Sequence, residues 1–391
     1  MESVDGPIFS AVSNSTHHLY ILLRCIGFAS KASVQISSHG IRFSVDDGRV
    51  MQGLAFLDKA LFTSYIFNPI AHEPPDNGEA HEEEEQEDSF SGPRFLISLS
   101  ALVETLQIFG LSDSSPSNNA PASIQAGSGA LNAFSTSAVL LNRSCTISYV
   151  QPGSPLSITL AEAGVTTTCD LTTYEPDDPT FDHSPGDMDI PFQRDAIVFK
   201  VIMRSTFLHN AITELDSTSP TVLSLTASAT KAPFFALSVS GGPFSESTVE
   251  FSIDKESGNA NDPAFRNVDD PSSSRQRPTR AKLAPTVTET FLVNPPSSRS
   301  RVRQSYRYSL IHKALRAMAV SSKVSIRCDR QGVLSLQFMI ELGESSTTDA
   351  SVGGQQSSTI SPGNVSFVDF RFVPLVDEEG NGSEDDDEEV E

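Results

Sequence analysis

Cysteine is scarce in this chain of 391 residues: there are four, Cys25, Cys145, Cys169 and Cys328, each standing alone. No CxxC pair occurs, and no histidine sits at metal-ligand spacing from a cysteine. That argues against a zinc site or a disulfide framework and for a reducing compartment. Long apolar runs are missing as well. No uninterrupted stretch approaches the roughly 20 residues a membrane-spanning helix needs, so no membrane association is expected. The N-terminal MESVDGPIFS carries no basic region ahead of an apolar one, so no signal peptide is expected. A Gly-rich phosphate loop with its lysine is also absent, which excludes P-loop ATPase chemistry. The expectation is a soluble, intracellular protein that needs no cofactor.

Bases are few too, 27 Lys and Arg against 50 Asp and Glu, for a net charge of −23. Located along the chain, the imbalance changes meaning. Residues 73–88 hold nine acids and no base, and residues 377–391 hold ten more, again with no base. The rest, 31 acids against 27 bases, is near neutral, so the acidity belongs to solvated runs. Apolar content of 38% is low for a globular chain and predicts unstructured segments. Five lack the periodicity of a packed element: 71–93, 111–135, about 255–304, 343–363 and the acidic tail 377–391.

What remains is mostly short alternating strands with four helical patterns. HHLYILLRCIGFA places Leu19, Leu22, Leu23 and Ile26 on one stripe, and STFLHNAITELD repeats it with Phe207, Leu208, Ile212 and Leu215. FLISLSALVETLQIFG reads as a strand entering a helix with a stripe at Leu99, Leu102, Val103 and Leu106. YRYSLIHKALRAMAVSS does the same with Leu310, Ala314, Leu315 and Met318. The first of these is trailed by SCTISYV, PLSITLAE and GVTTTCDLTTY, the second by KVSIRCD, VLSLQFMIE and NVSFVDFRFVP. One β-rich unit with two helices is therefore written twice, as domains over 1–174 and 194–376 joined by a Pro- and Asp-rich connector, 175–193. Amphipathic helices on one face of antiparallel strands make the fold class α+β.

The stretch SSHGIRFSVDDGRVMQGLAF sets Asp46 and Asp47 between two apolar runs. Asp47-Gly48 suits a tight hairpin corner, and Ile41, Phe43 and Val45 alternate as a half-buried strand does. The rival reading is a nuclease carboxylate pair, which needs further acids converging to hold two metals about 3.5–4 Å apart. Glu214 and Asp216 lie on a predicted helix with the wrong spacing for that role, and His39, His209 and His312 have no orienting carboxylate within local reach. No catalytic and no metal-ligating residues are assigned.

Beyond this bottom-up reading, SVQISSHGIRFSVDDGRVMQGLAFLDKALFTSYIF resembles the first-domain segment of sliding DNA clamps of the proliferating-cell-nuclear-antigen (PCNA) type. KVSIRCDRQGVLSLQFMIE, with FLHNAITELD and the ending VSFVDFRFVP, resembles the Rad-one family of subunits of the heterotrimeric DNA-damage checkpoint clamp. The resemblance implies two tandem PCNA-like domains, with antiparallel sheets outside and four short helices on the inner face. It further implies a nuclear, non-catalytic ring subunit whose partners are two other clamp-like subunits, double-stranded DNA, a clamp loader and repair enzymes. Arg24, Lys31, Lys313, Arg316 and Lys323 would then face DNA phosphates without reading bases. Val165 and Thr167 on one edge strand, with Val249 and Phe251 on another, would form subunit contacts. Phe181, Met188, Ile190 and Phe192 of the connector would form an exposed docking strip for partner peptides. The alternatives are a 3′→5′ exonuclease, an activity attached to some members of this family, and a replicative homotrimeric clamp. A separate basic cluster over 275–307, with Arg301, Arg303 and Arg307 at its end, reads as a solvated loop, an import signal or a loose DNA tether.

Overall fold

The computed structural model of the chain describes residues 6–68, 92–110, 144–162, 165–175, 189–243, 246–252, 285, 287–295, 300–342 and 365–376. The loops at 71–91, 111–135 and 343–363, most of 255–304, and the tail 377–391 lie outside the described residues. The elements run β1 (Phe9–Ser13), α1 (Thr16–Cys25), β2 (Lys31–Ile36), β3 (Gly40–Asp47), β4 (Met51–Asp58), β5 (Ser64–Phe67) and β6 (Arg94–Ser98). There follow α2 (Leu99–Gly110), β7 (Ser144–Tyr149), β8 (Leu156–Glu162), β9 (Val165–Leu171), β10 (Ile197–Arg204), α3 (Ser205–Asp216) and β11 (Val222–Ser228). The chain continues with β12 (Phe235–Ser240), β13 (Ser247–Phe251), β14 (Thr288–Val293), β15 (Arg301–Arg307), α4 (Tyr308–His312) and α5 (Leu315–Val320). Last come β16 (Lys323–Asp329), β17 (Leu334–Glu341) and β18 (Val365–Phe372).

Two compact units emerge, one of residues 1–191, 313–322 and 337–371, the other of 192–312, 323–336 and 372–391. In the first, one antiparallel sheet has the order β5-β1-β7-β8-β9 and a second runs β18-β4-β3-β2-β6. Strand alternation explains the inner faces. Ile41, Phe43 and Val45 of β3 are buried, while Arg42 and Ser44 between them are not. On β18 the same period buries Val368 and Phe370, and Phe370 meets Phe338 edge-on at 5.7 Å. The Asp46-Asp47 corner is a hairpin: Asp47 pairs with Met51, Gly48 and Arg49 take φ of 62° and 59°, and the Asp46 carboxylate accepts from the Arg49 amide at 3.0 Å. The second unit repeats the scheme with β13-β12-β11-β15 and β14-β10-β16.

Several elements differ in detail from the sequence expectation. On α3 Phe207 is exposed and Ala211 is buried beside Leu208, Ile212 and Leu215, because the helix turns its stripe toward the small residue. On α2 Val103 is only half-buried and Thr105 takes the inner position, its hydroxyl satisfied by the Ala101 carbonyl at 2.8 Å. The fourth helical pattern forms two short helices, α4 and α5, separated at Lys313-Ala314, where the division between units also falls. The stretch 255–304 is not wholly irregular. TETFLV forms β14, paired with β10 through Phe291 opposite Val201 and Leu292 opposite Lys200. Its alternation is short and lies between Ser-, Arg- and Pro-rich flanks that mask it by composition.

Candidate nucleic-acid interface

In the first unit three cations, Arg24, Lys313 and Arg316, come together at the C-terminal end of α1. Ser15 starts that helix by accepting from the His18 amide at 3.4 Å, and Leu19, Leu22, Leu23 and Ile26 fix its buried side. Arg24 is thereby turned outward in the last turn, its guanidinium 5.5 Å from the Tyr20 ring centroid. Just past the helix end, exposed Arg316 of α5 donates to the Gly27 carbonyl at 3.5 Å. Lys313 lies over the Phe28 ring at 5.8 Å and forms an ion pair with Asp47. Burial pushes the Cys25 thiol up to about 12, while the nearby Arg24 and Arg316 guanidiniums pull the other way. A helix C-terminus is the negative end of the macrodipole, so cations held there are stabilised.

Of the five residues expected to face DNA, three therefore come together: Arg24, Lys313 and Arg316. Lys313 is largely answered by Asp47, whereas Arg24 and Arg316 have no carboxylate partner among the described residues. Lys31 is exposed at the start of β2, with its ammonium 5.6 Å from the Tyr174 ring. Lys323 belongs to the second unit and pairs with Glu289 at 2.8 Å. No local signal exposes the Lys313–Asp47 pair, whose partners lie 266 residues apart.

The four residues assigned to subunit contacts divide. β9 is the edge of its sheet, with Val165 two-thirds exposed and Thr167 exposed. β13 is also an edge, and Val249 on it is half-buried. Phe251 needs correction: it is buried and stacked on Phe235 at 5.3 Å, facing the core of its own unit. The edge positions are those the family resemblance implies, but the face Phe251 presents depends on Phe235, which no local pattern shows.

The connector needs a second correction. Phe181 and Met188 lie outside the described residues. Ile190 is buried, and its backbone is clamped: its amide donates to Gln52 Oε1 at 3.1 Å and its carbonyl accepts from Arg371 at 2.7 Å. Neighbouring Asp189 pairs with Arg42 and accepts from Gln52 Nε2 at 2.8 Å. Ile190 staples the connector to the first unit and is not an exposed docking residue. In the second unit Phe192 is half-buried under the Arg327 guanidinium at 5.4 Å, and the Gln193 amide donates to Asp329 at 2.9 Å.

For catalysis the arrangement offers little. Asp46 closes its turn and Asp47 is paired with Lys313, so both carboxylates have structural partners. Among the described residues, no group of three or more His, Cys, Asp or Glu side chains could hold a metal ion. His312 has no carboxylate nearby in sequence, but the fold brings Asp216, 96 residues away, to 3.7 Å. Both are about half exposed, and the adjacent Tyr308 hydroxyl donates to the Ile212 carbonyl at 2.9 Å. Burial raises that phenol above its ordinary range, so it is no ready nucleophile.

Known proteins bear on this geometry. The structure is similar to crystalline PCNA from Thermococcus kodakaraensis, with a TM-score of 0.52 over 94% of this chain and 100% of that one at 14% identity, which shows the PCNA-like α+β fold. By sequence the chain is 28% identical to the DNA damage checkpoint control protein rad1 of Schizosaccharomyces pombe over 369 residues, 94% of this chain and 87% of that protein. It is also 28% identical to the human cell cycle checkpoint protein RAD1, covering 84% of each. A shorter match, 29% identical over 54% of this chain and 42% of the other, is to a protein named DNA repair exonuclease REC1 in Mycosarcoma maydis. The model of the repair proteins Rad1/Rec1/Rad17 matches residues 8–340, and with this span and this fold the chain belongs to that family.

Proposed function

We propose that this chain is a non-catalytic subunit of a heterotrimeric ring clamp that encircles double-stranded DNA in the damage response. The observation that carries the reading is the β9 edge. Seven residues pair regularly with β8 on one side, and among the described residues their other side is unpaired. No proline, lysine or bulge protects it, and Val165 to Thr168 are exposed. An edge this bare is an aggregation template unless another chain covers it. In a PCNA-like subunit the cover is a neighbouring clamp chain, and β13 is the second such edge.

The cluster of Arg24, Lys313 and Arg316 then serves DNA passing through the ring. Two guanidiniums give a weak, sequence-independent pull on phosphates, so retention comes from encirclement and not from affinity. Lys31 and Lys323 supplement it. The domains 1–174 and 194–376 act as the two clamp modules, joined by 175–193. A clamp loader opens the ring, repair enzymes dock on its outer face, and the complex works in the nucleus.

The exonuclease reading is favoured by one observation, the name of the REC1 relative. Against it stand the structural partners of Asp46 and Asp47. Native mass spectrometry of the complex recovered with this chain from a nuclear extract tests the proposal. A one-to-one-to-one assembly with two different clamp-like chains is expected. A homotrimer would indicate a replicative clamp, and a monomer with metal-dependent 3′→5′ nuclease activity would restore the enzyme.

A further inference from the structure

The second unit carries a row of arginines that the clamp reading does not use. β15 is the edge of β13-β12-β11-β15, and its alternation puts Arg301, Arg303, Ser305 and Arg307 on one face. The three arginines are exposed, while Ser305 is buried with its hydroxyl 3.0 Å from that of Ser224. Arg301 is already engaged, donating to the Ala232 carbonyl at 2.9 Å. Among the described residues Arg303 and Arg307 have no carboxylate partner. On the same face, Arg303 lies opposite Thr226, Thr226 opposite Ala236 and Ala236 opposite Glu250. That acid is three strand spacings away, about 14 Å, too far to answer the row.

One backbone contact says what covers it. The Leu375 amide donates to the Ser305 carbonyl at 2.7 Å, so the chain after β18 is tied to the β15 edge between Arg303 and Arg307. Two residues later begins the segment DEEGNGSEDDDEEVE, 377–391, with ten acids and no base. Each arginine is two residues from Ser305, about 7 Å along β15, and two residues of chain allow Asp377 at most about 7 Å from the anchored Leu375. Running along the edge, a span that short can bring Asp377 to one of the two arginines within a Debye length at ordinary ionic strength, about 8–10 Å.

We propose that Arg303 and Arg307, with Arg301 at the end of the row, form a docking surface for the chain's own acidic segment 377–391. Leu375 delivers the segment to the edge, and carboxylates starting at Asp377, Glu378 and Glu379 neutralise the guanidiniums. In this state the row is closed to other polyanions. A tether this short supplies an effective concentration of order millimolar, so a weak contact is occupied in cis and a competitor in trans is shut out.

The test uses the full chain and a fluorescein-labelled peptide of residues 377–391, read by anisotropy at low salt. Three proteins are compared: the unaltered chain, a chain with the ten tail acids replaced by Asn and Gln, and that neutralised chain carrying Arg303→Glu and Arg307→Glu. The neutralised chain should bind the peptide about tenfold more tightly than the unaltered chain, the margin expected when a cis competitor is removed. The double Arg variant should lose that binding, and Arg303→Gln/Arg307→Gln serves in its place if the reversal disturbs folding by circular dichroism. Equal peptide binding by unaltered and neutralised chains would overturn the proposal, as would binding that survives in a folded Arg variant. Failure of the peptide to bind while a short DNA duplex binds the neutralised chain through Arg303 and Arg307 would make the row a nucleic-acid surface, and would overturn it too.

Discussion

Replacing Phe251 with alanine separates a core role from an interface role. The ring is buried, stacked on Phe235 at 5.3 Å with planes 27° apart, at the end of edge strand β13. A buried phenylalanine removes at least ~150 Å² from water, worth about 4 kcal/mol at ~25 cal/mol per Å². Phe→Ala substitutions in cores cost about 3–5 kcal/mol. An edge strand relaxes more readily than a central one, so the lower end applies, about 3 kcal/mol. With a urea m-value of about 2 kcal/mol per M, the midpoint of the isolated chain should fall by about 1.5 M. The assay is equilibrium urea unfolding followed by far-UV circular dichroism, with Val165→Ala as control. Val165 is two-thirds exposed, and its truncation should move the midpoint by less than about 0.3 M. An unchanged midpoint for Phe251→Ala, together with impaired association with partner chains, would refute the core assignment.

Three further outcomes follow from named contacts. Arg24→Glu with Arg316→Glu should weaken DNA association and reduce its salt slope by about 2, with ring assembly intact; an unchanged slope in a salt titration removes the bore assignment. Burial pushes the Cys25 and Cys328 thiols up to about 12, against an ordinary 9.0. The unfolded thiols release protons near pH 9 and the folded ones do not, so stability is full below about pH 9 and falls as pH rises further. The two together should cost about 2 kcal/mol between about pH 9.5 and 10.5, and Cys25→Ala/Cys328→Ala should remove that share of the slope in unfolding curves, leaving the part due to buried tyrosines such as Tyr65 and Tyr308. At Gly40 a Cβ would lie 2.3 Å from the Leu57 carbonyl oxygen and 2.8 Å from the Phe56 ring. Gly40→Ala should therefore destabilise the β3–β4 hairpin by at least about 2 kcal/mol, visible as a lowered melting temperature.

The parts of the fold legible in the sequence were those whose physics is local. The 3.6-residue stripe of α1, the Asp-Gly corner between β3 and β4, and the period-two alternation of β16 to β18 each report burial within a few residues. What was missed depends on distant partners. Asp47 answers Lys313, Asp216 answers His312 and Gln52 clamps Ile190, across separations of 266, 96 and 138 residues, and no window shows them. Phe251 on an edge strand looked available for a partner because nothing local says which side of the strand meets Phe235. β14 was hidden differently: its six residues carry a strand pattern too short to stand out within a Ser- and Arg-rich stretch. Ile190 shows the same limit from the opposite direction. An apolar residue in an acidic, Pro-rich segment reads as exposed until Gln52 and Arg371 are seen holding its backbone.

The central claim is encirclement, and retention on circular DNA tests it most directly. The complex containing this chain is loaded onto a nicked plasmid and washed at high salt, which strips any phosphate contacts, including those proposed for Arg24 and Arg316. The plasmid is then cut once with a restriction enzyme. The clamp account predicts that the complex survives the wash on circles and is released when they are linearised. Loss from circles during the wash, or equal retention on circular and linear DNA, would contradict it.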